Sequence, residues 1–282
     1  MSGKEIRLSR LMHPRSGRVF IIPMDHGVST WPLDGLEDME AAIGRVAVTG
    51  VTGVLIHKGQ VRRAVAPLAA HRHLGLVVQL SGATCLGPDE NDKRRIGSVE
   101  HALSLGADAV SVQVNMGTAG EPGMLEELGR ISEACHAWGV PLLAMVYVRG
   151  AAAEKGWAPV AHAARIAAEL GADLVKTSYT GSIDTFQRVV EGAGIPVIIG
   201  GGPRIDSDLR LLETLQDALR AGASGACIGR NVFQHDDPTA IVESAARVIH
   251  EGTDAGSALR LLESTVRLSQ GSRGSGSVAR GL

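Results

Sequence analysis

The feature that most constrains this chain is a regular alternation of short apolar runs with helical patterns. Eight runs predict strands: VFIIPM (19–24), GVLIH (53–57), LVVQL (76–80), AVSVQV (109–114), PLLAMVY (141–147), DLVK (173–176), PVII (196–199) and GACI (225–228). Most are nearly continuous in Val, Ile and Leu, as strands buried on both faces are. Helical periodicity fills most gaps, for example over 121–138, 158–170, 207–221 and 238–250. Eight β/α units predict an α/β fold of the TIM (β/α)8 barrel type, and 282 residues suit one such domain. A Gly shortly before a strand recurs at Gly50, Gly106, Gly171 and Gly222, ahead of the even-numbered strands. This is either an internal repeat or the general chemistry of helix, Gly and strand. A doubly wound sheet is the rival architecture, but it wants a Gly-rich phosphate loop after the first strand. Asp25-His26-Gly27-Val28-Ser29 is not one. The barrel is expected over residues 1–268, and the Gly/Ser/Arg-rich stretch 269–282 is expected to be a disordered tail.

Composition removes several function classes. Twenty-eight Lys and Arg against 30 Asp and Glu leave a net charge of −2, so no basic field points to nucleic acid. Aromatic residues are 3% of the chain, which leaves little for base stacking. Three scattered cysteines, Cys85, Cys135 and Cys227, form no CxxC pair, so neither zinc nor a disulfide framework is indicated. Cys135 and Cys227 read as small core residues. No run reaches the ~18 apolar residues of a membrane helix, and MSGKEIRLSR lacks a signal peptide's apolar stretch, so the expected location is cytoplasmic, without a membrane partner.

In a barrel of this kind the chemistry sits at the C-terminal strand ends. Those ends carry Asp25 and His26, His57 and Lys58, Gln79 and Ser81, Gln113 and Asn115, Tyr147 and Arg149, Lys176 to Ser178, Gly200 to Gly202, and Gly229-Arg230. Glycines after strand seven with Gly-Arg after strand eight predict a phosphate site, built from approachable backbone N–H groups and the Arg230 guanidinium. The alternative is tight turns beside a surface arginine. Only five lysines occur, and Lys176 lies in a buried strand. Desolvation is expected to lower its pKa and free an amine that can form a Schiff base. A lysine paired with a carboxylate such as Asp25 is the competing reading. Lys58 is a rival nucleophile, more simply looped out. Tyr147, one of two tyrosines, is a candidate acid/base or a packed phenol. Asp25 is a candidate base, or a cap for the first loop. His71 and His73 have no accompanying carboxylate–His set, so no metal or other cofactor is expected. Gln234-His235-Asp236-Asp237-Pro238 reads as a helix start.

The stretches IIPMDHGVS, LIHKG, GADAVSVQVN, PLLAMVYVRG, GADLVKTSYTG, GGP and GRNVFQHDDP together resemble the DhnA-type class I aldolases, in order from about Val19 to His250. The resemblance is nearest to the amino-dideoxy-heptulosonate synthase branch, with archaeal-type fructose-bisphosphate aldolases next. It implies a TIM barrel with Lys176 as Schiff-base residue, Tyr147 as acid/base and Asp25 as proton acceptor. It implies substrate contacts at Asp25, His26, Gly27, Val28 and Ser29, at Tyr147, Val148 and Arg149, at Gly201 and Gly202, and at Gly229 and Arg230. One departure is Val148, where the family often carries Pro in a YPRG motif. The implied reaction is metal-independent. It joins a ketose-phosphate-derived donor, a deoxy-ketohexose phosphate or dihydroxyacetone phosphate, to aspartate 4-semialdehyde, in a homo-oligomer that feeds aromatic biosynthesis. Fructose-bisphosphate aldolase and a non-catalytic phosphosugar-binding barrel are the other readings.

Overall fold

The computed structural model describes residues 2–274. After helix α1 (Ser2–Arg10), eight parallel strands close into a barrel: β1 (Val19–Pro23), β2 (Gly53–His57), β3 (Gly75–Gln79), β4 (Ala109–Met116), β5 (Leu142–Val148), β6 (Leu174–Ser178), β7 (Val197–Gly200) and β8 (Gly225–Cys227). Neighbours pair in chain order around the ring, and β8 pairs back onto β1. The remaining helices are α2 (Met39–Val46), α3 (Val61–Ala70), α4 (Val99–Ser104), α5 (Glu121–Trp138), α6 (Trp157–Glu169), α7 (Ile183–Ala193), α8 (Asp208–Arg220), α9 (Arg230–Phe233), α10 (Pro238–Ala246) and α11 (Ala255–Gly274). The expected TIM barrel is observed, each strand starting within one residue of its predicted position.

Local chemistry sets the helix ends. Ser182, Ser207 and Asp237 cap α7, α8 and α10 by accepting the backbone N–H three residues on, and Pro238 takes the first turn of α10. The helix expected over 238–250 is shorter: α10 stops at Ala246 and a π-turn, Arg247–Glu251, runs to Gly252. The first residues of the expected tail continue α11, and 275–282 lie outside the described residues.

Two packed layers follow from strand alternation. Val19, Ile21, Leu55, Val77, Ala109, Leu143, Met145, Leu174, Ile198 and Cys227 fill the barrel interior, while alternate residues such as Phe20, Val54, Val175 and Ile199 pack outward under the helices. Leu11, just after α1, belongs to the interior set and is 1% exposed. It plugs the barrel floor, where a Cβ on Gly75 would stand 2.5 Å from its Cδ2. The seam between β8 and β1 needs Gly225, whose φ is +140° and whose Cβ would lie 1.8 Å from the Val19 carbonyl oxygen. After β3 the chain makes an excursion over residues 80–98 before α4, tied by a two-residue antiparallel ladder of Ser81–Gly82 with Arg94–Arg95.

Candidate active site

At the C-terminal mouth of the barrel lies a cavity of about 430 Å³. Asp25, His26, Ser29, Tyr147, Arg149, Lys176, Gly201, Gly202, Gly229 and Arg230 line it, so most of the sequence-predicted residues meet there. Three do not. Gly27 and Val28 sit in the short turn after β1 and line a neighbouring apolar cavity with Trp31 and Lys58. Val148 packs into the outer layer because strand alternation turns Tyr147 inward and its successor away. These three expected contact residues do not line this cavity.

Lys176 stands on β6 beside Met145 of β5 and Ile198 of β7, and is 7% exposed. Tyr147 lies beside it, and both side chains cross Gly200: a Cβ there would be 3.1 Å from Tyr147 Oη and 3.2 Å from Lys176 Cε. The expected fall in the Lys176 pKa is also corrected. Burial does act to lower it, but Cys227 and Tyr147 where they ionise, and Asp25, act against burial, and the net direction is up. Burial pushes the Tyr147 phenol and the Cys227 thiol up in turn, so both keep their protons at neutral pH.

Asp25 is held from two sides. Gln79 Nε2 donates to its Oδ2 at 3.4 Å, and His26 Nδ1 lies 3.8 Å from its Oδ1. Burial lowers the His26 pKa against the pull of Asp25, and the positive charges of Lys176 and Arg230 add to the fall. His57, lowered chiefly by burial, is likewise neutral at pH 7. Lys58 points away from the cavity and donates to the Ile96 carbonyl.

The expected phosphate corner is organised by a residue that sequence reasoning missed. Asn231, 5% exposed, donates from Nδ2 to the carbonyls of Gly201 (2.9 Å) and Pro203 (3.1 Å) and accepts from Ile205 N–H at 2.7 Å. It fixes the loop after β7 against the start of α9. The Arg230 Nε beside it is buried without a protein partner, which suits an incoming anion.

Two further contributions escaped the sequence reading. Cys227, read as core, lines the cavity beside Lys176. Glu90, Asn91 and Lys93 reach the cavity from the excursion, which Asn115 anchors by donating to the Asn91 carbonyl at 2.8 Å. The long gap between the third and fourth predicted strands, and the scarcity of lysine, were the available signals.

Comparison with known proteins agrees with this geometry. Residues 19–235 match the DeoC/LacD family aldolase model. A 2-amino-4,5-dihydroxy-6-oxo-7-(phosphonooxy)heptanoate synthase from Streptomyces griseus is 42% identical over 90% of this chain and 93% of its own. A 2-amino-3,7-dideoxy-D-threo-hept-6-ulosonate synthase from Halobacterium salinarum is 42% identical over 92% and 96%. Among solved structures, an archaeal fructose-1,6-bisphosphate aldolase with its catalytic Lys covalently bound to the carbinolamine intermediate superposes with a TM-score of 0.77. It is 32% identical and covers 88% of this chain and 99% of that one. A closed parallel barrel with a buried lysine and a half-buried tyrosine at its mouth, matched over most of its length, places the chain in the DeoC/LacD family of aldolases.

Proposed function

We propose that this chain is a metal-independent class I aldolase or transaldolase that condenses a ketose-phosphate-derived donor with aspartate 4-semialdehyde. The observation that carries the reading is the buried Lys176 beside the half-buried Tyr147, facing a phosphate corner across one cavity. The acceptor follows from the product that names the Streptomyces relative. Cleaving its C4–C5 bond in the retro-aldol sense leaves dihydroxyacetone phosphate and 2-amino-4-oxobutanoate, which is aspartate 4-semialdehyde. The same cut in the Halobacterium relative's product gives the same acceptor and a donor fragment without phosphate.

The residues divide the work. Lys176 Nζ adds to the donor ketone, and loss of water from the carbinolamine gives an iminium. A proton, or the departing aldehyde of a longer ketose, then leaves the adjacent carbon and an enamine results. Tyr147, beside Lys176, and Asp25 move these protons. The enamine carbon attacks the acceptor aldehyde, Tyr147 protonates the new alkoxide, and water hydrolyses the product from Lys176. Arg230 with the Gly201–Gly202 and Gly229 backbone holds the phosphate. Fructose 1,6-bisphosphate cleavage is a second reading, favoured by the archaeal aldolase structure.

Borohydride reduction in the presence of dihydroxyacetone phosphate tests the proposal. Mass spectrometry is expected to place the adduct on Lys176. Lys176→Ala should lose adduct and turnover, while Tyr147→Phe should keep some adduct and lose about 10²–10⁴-fold in rate. An adduct on Lys58, or one that survives in Lys176→Ala, refutes the assignment. Parallel assays with aspartate 4-semialdehyde and with fructose 1,6-bisphosphate separate the two readings.

A further inference from the structure

The cavity holds a second buried lysine that Schiff-base chemistry leaves unused. Lys93 is 9% exposed and donates from Nζ to Ser29 Oγ at 3.3 Å. Among the described residues it makes no ion pair. Burial lowers its pKa, against the pull of Asp25 and Glu90. A buried ammonium left with one neutral hydroxyl is costly unless an anion completes its shell.

Its neighbours are specific and held in place. Glu90 and Asn91 lie on the same excursion and line the same cavity, as does Arg149 from the end of β5. Ile96 N–H donates to the Leu80 carbonyl at 2.7 Å, Asn115 holds the Asn91 carbonyl, and Arg149 Nε donates to Asn115 Oδ1 at 3.2 Å. In the ring of strands, β3 to β5 lie opposite the phosphate corner of β7 and β8, with β6 and Lys176 between them on one side. The excursion side of the same cavity, across from that corner, is left for the second substrate.

We propose that this corner is the acceptor subsite: Lys93 and Arg149 take the carboxylate, and Glu90 the ammonium, of an α-amino-acid aldehyde. The inference rests on the reaction proposed above and names the side chains that select its acceptor. Two cations and one carboxylate complement a zwitterion. A neutral aldehyde leaves Lys93 unpaired, and a phosphorylated aldehyde meets the repulsion of Glu90, so the corner also selects against wrong partners.

Steady-state kinetics of the full chain test this, with dihydroxyacetone phosphate as donor and three acceptors: aspartate 4-semialdehyde, 4-oxobutanoate (the same molecule without its ammonium) and propanal. Lys93→Met is expected to raise KM for both carboxylate acceptors by roughly 10- to 100-fold, the loss of one charged hydrogen bond, and to leave KM for propanal in place. Lys93→Arg should recover part of that loss. Glu90→Gln, at an exposed position, should erase the preference for aspartate 4-semialdehyde over 4-oxobutanoate. Borohydride adduct with donor alone reports on the Schiff-base step in each variant. Adduct formation with unmoved KM values, or with equal rises for propanal, overturns the subsite alone. No adduct in the wild-type chain overturns the underlying reaction and this inference with it.

Discussion

Gly200 shows how closely single atoms are placed in this site. It ends β7 where the Tyr147 phenol and the Lys176 side chain cross, and an added Cβ would sit 3.1 Å and 3.2 Å from them. One of the two must then yield by a few tenths of an ångström. The glycine has no left-handed φ, so alanine is tolerated by the backbone itself. Rates depend steeply on such placement, up to about 10²-fold for a displacement near 1 Å. Gly200→Ala is therefore expected to lower kcat by about tenfold and to leave the urea midpoint close to wild type. An unchanged kcat would show that the lysine–tyrosine crossing tolerates displacement.

At the scale of elements, single buried amides hold the loops around the cavity. Asn231 at the start of α9 holds three backbone groups of the loop after β7. Replacing it with alanine strands the Ile205 N–H and two carbonyls. Asn231→Ala is expected to cost about 1–3 kcal/mol in urea unfolding and to weaken binding of dihydroxyacetone phosphate, measured by calorimetry. Equal donor affinity in the variant would mean that the phosphate corner keeps its shape without this clamp. Asn115 plays the same part for the excursion, linking the Asn91 carbonyl to Arg149.

For the whole molecule, chemistry gathers at one end of the barrel and stability at the other. Leu11 plugs the floor, and His250 ties the last helical segments to the first loops. Its Nε2–H donates to the Gly50 carbonyl at 2.7 Å, its Nδ1 accepts from Ser16 Oγ at 2.8 Å, and its ring stacks on His13 at 4.2 Å. Burial, chiefly, brings its pKa from 6.5 down to about 4. Between those values the unfolded chain binds a proton that the folded chain refuses, so stability rises with pH. It is full above about 6.5 and is lost as the pH falls toward 4. His26 and His57 shift in the same direction and add to the slope. Urea midpoints are expected to fall from pH 6.5 to 4, and His250→Gln should flatten part of that fall. An identical slope in the variant would remove His250 as a source.

Much of this was legible in the residues. Runs of Val, Ile and Leu located all eight strands, and the geometry of a parallel barrel then sent Asp25, Tyr147, Lys176 and Arg230 to one mouth. Apolar periodicity marked α5 residue for residue. The facing of individual side chains was not legible. A strand buried on both sides lacks the polar alternation that would reveal its phase, so Val148 could not be told from its inward neighbour Tyr147. The rise in the Lys176 pKa, the entry of Lys93 and Glu90, and the clamp at Asn231 rest on partners far apart in the chain. Local pattern records which segments are buried; only closure of the ring decides which side chains meet, because those contacts join residues that no helical or strand period relates.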